Sequence, residues 1–148
     1  ARPDIQSVVH NHSLSVIPFS VTDTPLQPII HTGAAIGHNI PVWDIHDNFG
    51  DTDLLVRNME QGRDLATTMG KASVVLMRGH GCSVVGSSIK EATLTSVYLQ
   101  ISATVQLQSI PLGNVRYLTA GETEECTNMF YSDLSVDRAW ENLTRRVK

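Results

Sequence analysis

Cysteine is scarce in this chain. Of 148 residues only Cys82 and Cys126 carry a thiol. Two cysteines are too few for a disulfide framework, and their scarcity suits a reducing cytoplasm. Long apolar runs are missing as well. No stretch reaches the roughly 18 consecutive apolar residues that a membrane span needs. Arg2 and Asp4 open the chain with no apolar segment behind them, so a secretory signal is not expected and the expected compartment is the cytoplasm. Positive charge is in deficit: 11 Lys and Arg face 15 Asp and Glu, for a net charge of −4. That balance argues against a nucleic-acid partner, which requires a basic face. Repeats and low-complexity tracts are absent. What remains is 41% hydrophobic and 18% charged, the composition of one ordinary globular domain long enough to bury a core.

The pattern of apolar residues predicts strands alternating with helices. Residues 5–10 (IQSVVH) are rich in β-branched side chains and read as a strand. Pro18 interrupts 13–22, so a short helix or loop and then another short strand are expected. Residues 29–38 read as loop with a short helical piece, 42–44 as a short strand and 46–52 (HDNFGDT) as a polar turn. Thr52 is a plausible N-cap for a helix over 53–69, closed by Gly70. SVVLM at 73–77 and CSVVG at 82–86 are buried strands broken by Gly79–His80–Gly81. Ser88 with Glu91 three residues on has the form of a capping box, opening a long helix that stops before Pro111. A short strand at 114–118 and helices over 122–130 and 135–147 complete the series. The expected class is therefore α/β, or α+β in layers.

The chemistry concentrates in histidine. In a strand, residues i and i+2 share a face. His10 and His12 therefore point the same way, with Cβ atoms roughly 6–7 Å apart. Two imidazoles so placed can converge on one ion, and neutral imidazole suits zinc or manganese among others. The alternative is two polar residues at a strand end. His80 adds a third, lying between two glycines that let the backbone turn sharply. Three neutral imidazoles with an open fourth position form a catalytic rather than a structural metal site.

Two segments carry a family resemblance. RPDIQSVVHNHS resembles the first signature of the class II aldolase/adducin family, and VVLMRGHGCSVVGSSIKEA resembles its second. The 68-residue separation of His12 and His80 is similar to the family's spacing. MRGHG and HDNFGDT look most like the decarboxylase branch, the pyridine dicarboxylate decarboxylases of vitamin B6 breakdown. The resemblance implies a central, mostly antiparallel sheet between helix layers, and a homotetramer with active sites at subunit borders. It implies one divalent ion, zinc or manganese, on His10, His12 and His80. It also implies an acid/base glutamate at a position that would precede Ala1. Residues 1–148 are thus expected to form one such domain lacking its N-terminal part, with a strand edge exposed.

A divalent ion on neutral ligands keeps its full charge and is a strong Lewis acid. Decarboxylation of a hydroxylated aromatic mono- or dicarboxylic acid through a metal-stabilised enolate is the expected reaction. Retro-aldol cleavage of a sugar or sugar phosphate is the alternative, and a non-catalytic binding module like the adducin head is a further one. The literal string HNH also occurs in a class of nucleases, which the acidic charge disfavours. Arg78, two residues before His80, would share its strand face and could hold a substrate carboxylate bidentately; the competing role is an ion pair with a structural aspartate. His31 falls where the family places a proton donor. Ser13, beside the metal strand, and Tyr131, from a neighbouring subunit, are further expected substrate contacts. His38 and His46 read as surface or turn residues. GSS at 86–88 could bind an anion or simply start a helix. The expected partners are a small-molecule carboxylate and further copies of the chain, with no nucleic acid and no membrane.

Overall fold

The structure is a computed structural model and describes residues 2–147. Four strands, β1 (Ser7–Asn11), β2 (Val42–Trp43), β3 (Val74–Met77) and β4 (Gly81–Gly86), form one sheet in the order β1-β4-β3-β2. β4 pairs antiparallel with both β1 and β3, and β2 joins β3 in parallel. Six α-helices accompany the sheet among the described residues: α1 (Ile17–Ser20), α2 (Ile45–Phe49), α3 (Met59–Met69), α4 (Ile89–Ser109), α5 (Ala120–Phe130) and α6 (Asp133–Arg145). A 3-10 helix spans His31–Ile36. The expected class, a mostly antiparallel sheet between helices, is the one observed.

Alternation along the central strands explains the layers. β3 is buried at all four positions, as a strand covered on both faces must be. Val74, Leu76, Cys82 and Val84 pack with Leu99 and Ala103 of α4, and with Val16, Phe19 and Ile36. Val75, Met77 and Val85 pack on the opposite face with Trp43, Ile45, Met69 and the α3 residue Leu65. A third cluster, Ala35, Leu94, Phe130 and Val136, ties α5 and α6 to the α4 side. Ser88 caps α4 as expected, accepting the Glu91 amide at 3.2 Å.

Four local expectations are corrected. The helix expected over 53–69 starts only at Met59, because Asn58 supplies the cap by accepting the Gln61 amide at 3.0 Å. Thr52 instead accepts the Leu54 amide at 3.1 Å in a local turn, the competing use of a short hydroxyl side chain. The polar run 46–52 contains a helix, α2, whose cap Asp44 accepts the His46 amide. Residues 114–118 form no strand; Leu118 makes a single amide bond to the Pro28 carbonyl. The short strand expected after Pro18 is likewise absent.

The register of β1 on β4 sets the position of the histidines. His10 lies opposite Ser83 and Asn11 opposite Cys82, so His12 passes beside Gly81. A Cβ at Gly81 would sit 2.3 Å from the Asn11 carbonyl oxygen and 3.0 Å from His12 Cδ2. The nearer atom is backbone and cannot swing away, so only glycine permits this approach. Gly81→Ala should therefore lower stability by about 1–3 kcal/mol through forced separation of β1 and β4. Gly121→Ala, in α5 with open space around it, should be neutral or stabilising by up to about 1 kcal/mol. Thermal denaturation of both variants checks the pair, and equal melting points would contradict the register argument.

Candidate metal centre

His10 reaches the site from β1, and His12 from the residue following Asn11 at the strand's end. His80 closes the three-residue turn between β3 and β4, its amide bonded to the Met77 carbonyl at 3.0 Å. Gly79 makes that turn with φ of +64°, a conformation that side chains resist. The three rings form a near-equilateral triangle, with centroids 4.8 to 4.9 Å apart. Their candidate ligand nitrogens all lie within 4.8 Å of one another, and Nε2 of His10 and His12 are 3.0 Å apart.

Two of the rings are anchored from behind. His10 Nδ1 lies 3.0 Å from the Cys82 carbonyl oxygen, and His80 Nδ1 lies 2.9 Å from that of Leu54. A carbonyl only accepts, so each Nδ1 must carry the proton and donate. Each Nε2 is then left with its lone pair facing the other rings, the tautomer a metal ligand needs. Partial desolvation, followed by the neighbouring His80 ring, pushes the His10 pKa below the usual imidazole value. Its neutral form is thereby favoured. The donor set and its backing carbonyls fit a divalent ion that accepts imidazole nitrogen. Cys82 is no competitor. Burial raises its thiol to about 11, so it stays protonated, its Sγ turned to Asn11 Oδ1 at 3.3 Å.

The carbonyl behind His80 belongs to a strained residue. Leu54 has φ of +63° and is the single non-glycine with positive φ among the described residues. Such a conformation costs on the order of 1 kcal/mol or more and persists only where its surroundings impose it. Here the Thr52 hydroxyl holds the amide and His80 takes the carbonyl. The side chain packs with the apolar cluster on the α3 face. The loop running on from Leu54 borders a cavity of about 730 Å³ in front of the histidines. Leu55, Val56, Leu65 and Met77 form its apolar wall, with Arg57 and Ser83 as the further polar lining.

The other expected site residues lie elsewhere. Arg78 is corrected in geometry: it stands in the β3–β4 turn, not on a strand face with His80, and is not among the residues bordering the cavity. Its guanidinium pairs with Asp44, whose carboxyl is held below the usual range by that contact. The ion pair ties the turn to the start of α2. His31 is exposed at the start of the 3-10 helix, which packs on α4 and α5 across the sheet from the three rings. The Tyr131 hydroxyl is bonded to Thr95 Oγ1 at 2.7 Å in the third cluster, on that same side. Ser13 Oγ is buried without a partner outside the cavity. His46 is exposed and 3.6 Å from Asp51. Ser87 donates from its amide and its hydroxyl to Glu91, so a carboxylate already occupies the GSS helix start. Arg57 and the Leu54 carbonyl were missed from sequence, because a helix was expected through both; the run LVRN ahead of the Asn58 cap was the available signal.

The contrast between the thiols is directly measurable. Cys82 is fully buried and Cys126 partly exposed. Iodoacetamide at neutral pH should alkylate Cys126 and leave Cys82 unmodified, since the thiolate is the nucleophile and a raised pKa removes it. Peptide mass spectrometry reads the result, and equal labelling would refute the buried placement of Cys82.

Comparison with known proteins completes the picture. The family pattern described as Class II Aldolase and Adducin N-terminal domain matches residues 1–107. Decarboxylase tropJ of Talaromyces stipitatus is 36% identical over 99% of this chain and 62% of its own length. The 3,4-dihydroxyphthalate decarboxylase of Arthrobacter keyseri is 30% identical over 99% of this chain and 58% of its own. The chain thus spans about three fifths of these relatives. A crystal structure of an aldolase II superfamily protein from Pseudomonas syringae superposes with a TM-score of 0.74 at 22% identity, covering 98% of this chain and 56% of that one. With a pattern match over most of its length and a relative at 36% identity along nearly all of it, this chain belongs to the class II aldolase and adducin N-terminal domain family.

Proposed function

We propose that this chain forms part of a divalent-metal-dependent carbon–carbon lyase that decarboxylates a hydroxylated aromatic acid, with zinc or manganese held by His10, His12 and His80. The observation carrying the reading is the convergence of three imidazoles, two of them locked by backbone carbonyls in the ligand tautomer. A scaffold without catalysis would have no use for that arrangement. When bound, a divalent ion supplies Lewis acidity, drawing electron density from the substrate as carbon dioxide leaves.

The chain's own residues favour an aromatic acid over a sugar. A polyol needs hydrogen-bond partners along its length, whereas Leu55, Val56, Leu65 and Met77 offer an apolar wall suited to a flat ring. A sugar phosphate would also need an anion pocket, and the Glu91 carboxylate at the GSS helix start repels one. The Cys82 and Leu54 carbonyls keep the His10 and His80 rings aimed. Two relatives of this chain are decarboxylases by name, one of them acting on 3,4-dihydroxyphthalate. We place the enzyme in the cytoplasm as a homotetramer on the strength of the family resemblance; no helix of the described residues is long and apolar enough to cross a membrane.

Elemental analysis of the full-length protein loaded with zinc or manganese should find about one ion per chain. His80→Ala should lower metal affinity by roughly a hundredfold or more, since even the loss of a backing partner costs about 10–100-fold. The same variant should abolish carbon dioxide release from hydroxylated benzene dicarboxylates. Full metal retention by His80→Ala would reject the ligand set. Cleavage of sugar phosphates with no carbon dioxide release from any such acid would reject the reaction.

A further inference from the structure

Among the described residues bordering the three-histidine cavity, Arg57 is the one that carries a formal charge. The others are imidazoles, apolar side chains and a serine hydroxyl. Arg57 sits on the same loop as Leu54, whose carbonyl backs His80. Both ends of this arginine are held. Its amide donates to Gln61 Oε1 at 2.7 Å. Its guanidinium donates through Nε and one terminal nitrogen to a single oxygen, Asp53 Oδ2. The other Asp53 oxygen accepts the Leu55 amide at 3.2 Å, which steadies the carboxylate and hence the arginine.

A guanidinium has five N–H donors in one plane. Two are engaged by Asp53, so three remain to bind an anion with the plane already oriented. The side chain is 64% exposed, so those donors are hydrated and accessible rather than buried in structure. Arg78, the other arginine the sequence brought forward, is committed to Asp44 and does not border the cavity. An acid lying on the apolar wall, with one end at the three imidazoles, therefore meets one fixed cation, and that cation is Arg57.

Resting on the reading of the site as a metal centre for an aromatic acid, we propose that Arg57 is its specificity-determining residue. It binds a second carboxylate, distinct from the group at the histidines, and thereby selects dicarboxylic over monocarboxylic acids. The required ligand is a ring with a hydroxyl and carboxylate side by side for the metal end, plus a further carboxylate. The planar fork matches a carboxylate bidentately, which a lysine cannot do. Asp53 acts as the positioning residue that sets the fork.

Two small acids separate the terms: salicylate, with one carboxylate beside its hydroxyl, and 3-hydroxyphthalate, which adds a second. Binding to the zinc-loaded full-length protein is measured by titration calorimetry, with zinc content determined in parallel. The wild type should bind 3-hydroxyphthalate at least tenfold more tightly than salicylate. Arg57→Ala and Arg57→Gln should erase that gap, leave salicylate affinity within about twofold, and leave zinc content unchanged; Arg57→Lys should keep part of the gap. Both neutral variants alter an exposed side chain, so folding is preserved. The assignment is overturned if the wild type shows no preference, or if the preference survives in Arg57→Ala. Should the wild type hold zinc yet bind neither acid, the aromatic-acid reading of the site fails and the role of Arg57 falls with it. Should zinc not bind at all, the ligand set itself is wrong.

Discussion

The close approach of two backbones at Gly81 is the constraint on which the rest depends. β1 can lie against β4 in the observed register only because residue 81 has no side chain to strike the Asn11 carbonyl. That contact brings His10 and His12 beside His80, which is 68 residues further along the chain. Strand pairing is a rigid way to do this. The antiparallel ladder fixes register, and a slip of one residue would send His10 to the opposite face of the sheet. The hydrophobic alternation of β4 prevents such a slip, because Val84 and Val85 belong to different cores on opposite faces.

A second layer of interactions turns proximity into a usable donor set. Backbone carbonyls do the orienting at His10 and His80, and carbonyls are well suited to it. They accept without titrating, so they leave each ring in one tautomer at any pH where imidazole is neutral. One of these carbonyls requires Leu54 to hold a left-handed conformation. The strain is offset by the Thr52 turn, the apolar packing of the Leu54 side chain and the bond from His80. The same loop then supplies Leu55, Val56 and Arg57 to the cavity. The orientation of His80 and the apolar wall of the cavity are thus built from one short segment, which couples their geometries mechanically.

The two arginines show how local chemistry and tertiary placement divide the work. Arg78 and Arg57 carry the same side chain, and each pairs with an aspartate. Arg78 uses its pair to anchor the turn that presents His80, tying it to the first residue before α2. Arg57 borders the cavity with donors to spare. Proximity to His80 along the sequence favoured the first, whereas proximity in space favours the second. The described residues bordering the cavity accordingly include three imidazoles and one guanidinium, and no carboxylate.

The sequence by itself determined the layered class, the two buried central strands, the capped long helix and the three histidines. Each of these rests on short-range information: strand and helix periodicity, the Ser88 N-cap, an i, i+2 spacing, and glycines flanking a polar residue. Tertiary structure alone decided the start of α3, the pairing of Arg78 with Asp44, the position of Arg57 at the cavity, and the placement of His31 and Tyr131 across the sheet from the three histidines. In each case two local outcomes lay close in energy. Thr52 and Asn58 both make good helix caps, and an arginine pairs equally well with a substrate carboxylate or an internal aspartate. Contacts distant in sequence, above all the bond from His80 to the Leu54 carbonyl and the pairing of Arg78 with Asp44, broke those ties.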